Sequence, residues 1–399
     1  MRNAFCTALR LFIFLLLSFK GFSAEIVDIQ SHAAVLMDAE TGSLLFTKNK
    51  DAPIPPASLT KLMTIHIALD EIANGDANLN EVIPLQKESW AVNQPPRSSL
   101  MFLAERQRVT LQELLLGLAV SSGNDAAVAI AMRFAPSVKE FVERMNKEAA
   151  ALGLSHTTFV EPSGISEYNM TTAYEYAVFC RFYIKTHPET LETLHSVGEF
   201  AYPKPENVPI ASRNRPGTIV QKNRNPLLGV LGVDGLKTGY IDESGYNIAL
   251  TARQGETRLI AVILGAPASS GGDRIRDTDG RNLLEWGFSH YKTLYPVVGE
   301  LPLIRVWKSK QKYASLTIGE LLPFTARIER GEELRFETEL REPVIAPCEK
   351  GDRVGELVLY DDIGEIRRIP LLVSEDVARG GFWTRLLDAI RLFFRGLRK

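Results

Sequence analysis

The sequence predicts an α+β fold: a helical cluster with an antiparallel sheet, then a small all-β domain and a C-terminal amphipathic helix. Three observations predict it. Apolar stretches of helical periodicity occupy residues 58–72 and 110–133. Strand-type segments lie far apart, at 33–49 and 234–267, so the sheet is assembled from both sequence ends of one domain. From about Leu301 the texture changes to short β-type runs such as "ASLTIGE", "LRFETEL" and "RVGELVLY", separated by Gly, Pro and acidic turns. A length of 399 residues accommodates two domains, expected at 24–292 and 298–375.

The chain opens with Arg2 and Arg10, the apolar run Leu11–Phe19 and small residues at Gly21, Ser23 and Ala24. That three-part pattern predicts a secretory signal over residues 1–23, cut after Ser23 or Ala24, and the run is short for a membrane span. Its removal takes Arg2, Arg10 and Lys20, and with them the formal net charge goes from −2 to −5. Without a basic excess, no nucleic-acid partner is expected. Cys6 leaves with the signal, and Cys180 and Cys348 are expected as free buried thiols. The 6 His residues are scattered without ligand spacing, so neither a metal nor another cofactor is expected.

Next, "AAVLMDAETGSLLFTKN" reads as a hairpin around Glu40-Thr41-Gly42. Prolines 53, 55 and 56 end the strand pattern and lead into a helix at Ser58. "TLQELLLGLAVSSGNDAAVAIAMR" opens with a Thr-x-x-Glu capping box. A polar break from Ser121 to Asp125 interrupts its apolar pattern, which predicts a loop held in a cleft. Asp234–Pro267 reads as an edge strand and a hairpin turning at Gln254-Gly255-Glu256, and "RNLLEWGFSHY" as a further helix.

In the tail, 380–399, a helical wheel gathers Phe382, Trp383, Leu386, Leu387, Ala389, Ile390, Phe393, Phe394 and Leu397 on one arc. Arg385, Asp388, Arg391, Arg395, Arg398 and Lys399 fall opposite, with Leu392 misplaced. Such a helix is expected to lie on a membrane surface through residues 382–399.

The chemistry starts at Ser58. A serine hydroxyl becomes a nucleophile when a neighbouring base takes its proton, and Lys61 lies one turn away on the same face. Burial in "LMTIHIAL" would depress its pKa enough for that role. Alone the pattern is weak, since Ser309 and Lys312 match it by accident. Two further elements follow in order, Ser122-Gly123-Asn124 in the polar break and Lys237-Thr238-Gly239 in the edge strand. Acyl transfer gives each a task. Ser122 passes a proton towards the leaving amine, and Asn124 binds the substrate backbone and orients Lys61. Lys237 and Thr238 meet a carboxylate. Gly239 lets substrate lie along the strand, and the N–H groups of Ser58 and Tyr240 form an oxyanion hole.

With "PASLTKLMT", "SSGNDAAVAIA", "NRNPLLG" and "VDGLKTGY", the chain resembles the low-molecular-mass penicillin-binding proteins. Within them it is similar to the D-alanyl-D-alanine carboxypeptidases of peptidase family S11. The resemblance implies a β-lactamase/DD-peptidase-like fold and removal of the terminal D-alanine from peptidoglycan stem pentapeptides. It also implies acylation by β-lactam antibiotics and a place at the periplasmic face of the cytoplasmic membrane. Ser58, Lys61 and Ser122 take the catalytic positions and Lys237 the substrate-binding one. Two positions depart from relatives: Tyr240 stands where they carry His, and Gly265-Ala266-Pro267 where they carry a carboxylate-binding arginine. Arg224 in "NRNPLLG" is the candidate replacement. A class A-like β-lactamase would need a deacylating glutamate, for which Glu161 and Glu167 lack the expected context. A silent cell-wall binding protein would not need all four polar residues. The sequence leaves open endopeptidase activity and a homodimer.

Overall fold

The computed structural model describes residues 27–320, 322–328, 334–360 and 364–396. The expected signal peptide at 1–23, and Leu397, Arg398 and Lys399 of the tail, lie outside the described residues. Strands β1 (Ala33–Asp38), β2 (Leu44–Lys48), β3 (Val233–Ile241), β4 (Gly245–Gln254) and β5 (Thr257–Ala266) form one antiparallel sheet in the order β2-β1-β5-β4-β3. The sequence ends meet where β1 pairs with β5, Ala33 opposite Leu264 and Asp38 opposite Leu259. Strand β3 is an edge.

Both faces of this sheet are covered, which explains why "LIAVILGA" is continuously apolar where a half-exposed strand would alternate. Val35, Ala249 and Val262 pack into the helical cluster, while Leu36, Leu250 and Ala261 pack into a second core with Leu283 and Leu284. The cluster comprises α1 (Lys61–Ala73), α2 (Leu111–Leu116), α3 (Asn124–Phe134), α4 (Val138–Ala151) and α5 (Ala173–Thr186). Thr110 and Glu113 close the expected capping box on α2. The break before α3 is narrower than the sequence suggests. A π-helical turn carries Gly117–Ser121, Ser122 sits at φ 59°, and α3 begins at Asn124.

On the other face lies α6 (Gly272–His290), which starts well before the expected Arg281 because its first half, "GDRIRDTDG", carries too few apolar residues to show a period. Helix and sheet approach closely at Gly287, where a Cβ would come within 2.6 Å of Leu36 and 2.8 Å of Leu259.

The β module adds β6 (Tyr291–Leu294), β7 (Ile304–Trp307), β8 (Leu316–Ile318), β9 (Phe324–Arg327), β10 (Arg335–Leu340), β11 (Arg353–Tyr360) and β12 (Glu365–Val373). Four form a sheet in the order β8-β12-β11-β10, and β6 pairs with β9. That pairing starts the module at Tyr291, ahead of the expected 298. It also runs past 375, because Val377 is buried and bridged to Cys348, and Arg379 bridges to Ser309. Asp38 joins the two parts, accepting hydrogen bonds from Thr293 (2.7 Å) and Thr325 (2.8 Å). Cys180 and Cys348 are free and buried, one in each part, as expected.

Helix α7 (Phe382–Gly396) docks on the module through polar groups. Asp388, which the wheel placed opposite the apolar arc, is buried, accepts from the Lys308 N–H (2.8 Å) and faces Arg305. Arg395 pairs with Glu342 and lies over the Trp307 ring. The apolar arc points away, with Phe382 67%, Trp383 72% and Phe393 65% exposed, while Leu392 is half-buried. Among the described residues, no helix is long and apolar enough to cross a membrane.

Gly287→Val should force α6 off the sheet and cost about 1–3 kcal/mol. Urea denaturation would show the midpoint fall, whereas an unchanged midpoint would mean that the interface has slack.

Candidate active site

Pro55 and Pro56 deliver the chain to a tight turn, whose first residue, Ala57, takes a left-handed φ of 52°. Ser58 lies in a 3₁₀ turn, Ala57–Thr60, and α1 begins only at Lys61. At three residues per turn, side chains at i and i+3 eclipse, so the amine of Lys61 is carried over the Ser58 hydroxyl. Two glycines clamp this turn. At Gly164 (φ 82°) a Cβ would lie 1.8 Å from the Ala57 carbonyl oxygen. At Gly239, on the edge strand, it would lie 2.8 Å from the Pro56 oxygen and 3.0 Å from the Ser58 nitrogen.

Lys61 is fully buried, and its Nζ donates to Ser58 Oγ (2.9 Å), Asn124 Oδ1 (2.7 Å) and the Ser163 carbonyl (2.5 Å). Burial brings its pKa down to about 7, against the opposing pull of Glu161 and Asp125 and with help from Arg224. A neutral amine has two hydrogens and one lone pair. With the hydrogens kept on Asn124 and Ser163, the lone pair faces the Ser58 hydroxyl.

Two carboxylates, buried Asp125 and partly buried Glu161, hold these acceptors, and sequence reasoning assigned neither that part. Asp125 accepts from the N–H groups of Met101 (2.9 Å) and Leu103 (2.9 Å), tying the 97–103 loop to the start of α3. Asn124 completes that tie, its N–H donating to the Ser99 carbonyl and its Nδ2 to Ser98 Oγ (3.1 Å). Glu161 accepts from the Ser163 N–H (2.7 Å), Ser163 Oγ (2.6 Å), Gly164 N–H (2.5 Å) and Asn169 Nδ2 (2.8 Å). A carboxylate so occupied braces a loop and is not placed to activate water. Glu167 is exposed. Asp125 carried a faint signal as the neighbour of Asn124. The Ser163 carbonyl, a backbone group, carried none.

Ser122 is buried, its left-handed backbone setting it between the π turn and Asn124. The three hydrogen bonds of Lys61 do not include it. Along the edge strand, Lys237 is buried and donates to the Thr238 carbonyl (3.0 Å). Burial, then the charges of Lys61, Arg224 and Arg276, hold its pKa well below the usual lysine range. Arg224 is held by the Ser121 carbonyl (Nε, 3.0 Å), and burial lowers its pKa. An anion placed among Lys61, Lys237 and Arg224 would offset the burial that lowers the pKa of all three. Tyr240 turns its ring onto Tyr246 (4.3 Å between centroids) and donates to Asp242 (2.6 Å). The cleft, about 230 Å³, has Ser58 and Asn124 at its floor and Arg97, Ser98, Tyr240 and Asp242 at its rim.

The histidines are less scattered than the sequence suggests. His66 Nδ1 lies 2.9 Å from His187 Nε2, and Asp70 stands 3.4 and 3.5 Å from the two rings. Burial lowers the pKa of both imidazoles, that of His66 to about 4. The pair joins α1 to the end of α5. It lies roughly 12 Å along the helix from Ser58, at 1.5 Å per residue, and takes no part in the cleft.

The model of the Peptidase_S11 family, D-alanyl-D-alanine carboxypeptidase, matches residues 20–268, and that of the penicillin-binding protein 5 C-terminal domain matches 292–379. The chain is 34% identical to the D-alanyl-D-alanine carboxypeptidase DacC of Escherichia coli, over 93% of this chain and 90% of that one. To DacF of Bacillus subtilis it is 31% identical, over 90% and 88%. The crystal structure of penicillin binding protein 5 from Haemophilus influenzae superposes with a TM-score of 0.74 at 30% identity, covering 88% of this chain and 98% of the other. Motif order, fold and second domain thus agree, and the chain belongs to the S11 family of D-alanyl-D-alanine carboxypeptidases, the low-molecular-mass penicillin-binding proteins.

Proposed function

We infer that the protein is a serine-type D-Ala-D-Ala carboxypeptidase. It removes the terminal D-alanine of peptidoglycan stem pentapeptides through an acyl-serine intermediate, and penicillins acylate the same serine. The observation that carries this reading is the buried Lys61 amine, held on Ser58 with a pKa of about 7.

The residues divide the work as follows. Neutral Lys61 takes the Ser58 proton as Oγ attacks the carbonyl carbon of the penultimate residue. The N–H groups of Ser58 and Tyr240 receive the oxyanion. The C–N bond then breaks, and the departing amine of D-alanine takes a proton from Lys61 by way of Ser122. A water molecule attacks the resulting ester and gives a proton to Lys61, which returns it to Ser58 Oγ as the ester C–O bond breaks. Lys237, Thr238 and Arg224 hold the terminal carboxylate of the substrate, taking the place of the arginine that relatives carry at the strand end. Glu161, enclosed by five donors, argues against β-lactamase-type deacylation.

We further propose that the chain is exported, loses residues 1–23, and works at the periplasmic face of the cytoplasmic membrane with α7 in the interface. The support is an apolar arc that faces away from the module it is docked on, backed by Arg385 and Arg391.

Peptide mapping by mass spectrometry should place a benzylpenicillin adduct on Ser58, and Ser58→Ala should abolish it. Lys61→Arg should also block acylation, because arginine keeps the charge and stays protonated. An adduct elsewhere, or normal acylation of Lys61→Arg, would refute the mechanism. Acylation should depend on pH through Lys61. Its folded pKa is lowered to about 7, so the base form dominates above that value. Below it the rate should fall about tenfold per pH unit. Stopped-flow acylation between roughly pH 5 and 9 reads this limb, and a flat profile through neutrality would remove Lys61 as base. Truncation after Gly381, which spares the buried Val377, should release an active enzyme from liposomes that retain the intact mature protein. Equal co-sedimentation of the two forms would show that the tail is not the anchor.

A further inference from the structure

The rim of the cleft carries a charge pair that the reaction as described leaves without a task. Arg97 Nη1 and Nη2 meet Asp242 Oδ2 and Oδ1 at 2.8 and 3.2 Å, joining the 97–103 loop to the end of the edge strand. Its side chains are 76% and 52% exposed, and exposed pairs of this kind contribute little to stability. Arg97 also sits at φ 68°, a left-handed conformation that favours glycine. A pair that stabilises so little, on a backbone that resists its side chain, calls for another role.

The direction of the substrate supplies one. The carboxylate end of the peptide sits at Lys237 and Thr238, and the reacting carbonyl at Ser58 and the Tyr240 N–H. A peptide laid along β3 must therefore extend past Tyr240 towards Asp242, antiparallel to the strand. At about 3.3 Å per residue, the residue preceding the reacting one lies level with 241–242, beside Arg97. The Arg97 loop is fixed there, since Ser98 and Ser99 bond Asn124 while Met101 and Leu103 bond Asp125.

We propose that Arg97 and Asp242 form the subsite for the third residue of the stem peptide, and that they select a side chain ending in both an ammonium and a carboxylate. This rests on the carboxypeptidase reading above. The zwitterionic group exchanges ion pairs like for like: its ammonium takes Asp242, aided by neighbouring Glu243, and its carboxylate takes Arg97. A simple amine satisfies Asp242 alone and strands Arg97.

The test compares D-alanine release from two synthetic stem pentapeptides that differ only at position three, lysine in one and meso-diaminopimelate in the other. The full mature protein should favour the diaminopimelate peptide in kcat/KM by about fivefold, the discrimination an exposed ion pair provides. Arg97→Gln should bring the ratio close to one, and Arg97→Lys should restore part of it. Asp242→Asn should weaken both peptides and leave the ratio in place. The ratio is its own control, because partial misfolding lowers both rates together. Equal cleavage of both peptides by the unmodified protein, or a ratio that survives Arg97→Gln, overturns the subsite. Cleavage of neither overturns the carboxypeptidase reading and this proposal with it.

Discussion

The burial of one amine organises the catalytic half of this molecule. A charged lysine placed out of water is costly unless every proton finds an acceptor, so the fold must bring three oxygens to Lys61. They come from Ser58, Asn124 and Ser163, respectively 3, 63 and 102 residues away in the chain. Each distant acceptor is braced by its own carboxylate, Asp125 behind Asn124 and Glu161 behind Ser163. The same burial that makes the cation expensive makes the neutral amine accessible near pH 7, so structural cost and catalytic competence have one origin.

The edge strand is the second constraint. With the sheet enclosed on both faces, substrate can add only along an edge, and an open edge invites unwanted pairing. Here the Ser58 turn presses on β3 at Gly239, and the Lys237 amine lies buried beneath it. A carboxylate-ended peptide would offset the burial of that amine, and an uncharged strand would not.

Much of this was legible in the sequence. Ser58, Lys61, Ser122, Asn124 and Lys237-Thr238-Gly239 stand out because side-chain chemistry at fixed spacing is a local signal. The sheet built from distant segments followed from strand patterns at 33–49 and 234–267. What escaped was non-local or lacked a side-chain signature. The Ser163 carbonyl is backbone, Gly164 matters only for what lies against it, and Glu161 looked like a failed catalyst until its donors were seen. Polar sequence hid the first half of α6. The limits of the β module were misplaced because β6 and Val377 find their partners far along the chain. His66 and His187 lie 121 residues apart, a separation at which no ligand spacing is visible.

The attachment of α7 has a kinetic meaning. A helix joined by a slack linker would let the enzyme tumble freely above a surface. This helix is fixed to the β module by Asp388 and Arg395, and the module is fixed to the catalytic part at Asp38. Were its outward apolar arc seated on a bilayer, as proposed, the whole body would keep a constant height and tilt. Rotation about the membrane normal and lateral diffusion would be the freedoms left to it. On that proposal the search for a peptide would become two-dimensional.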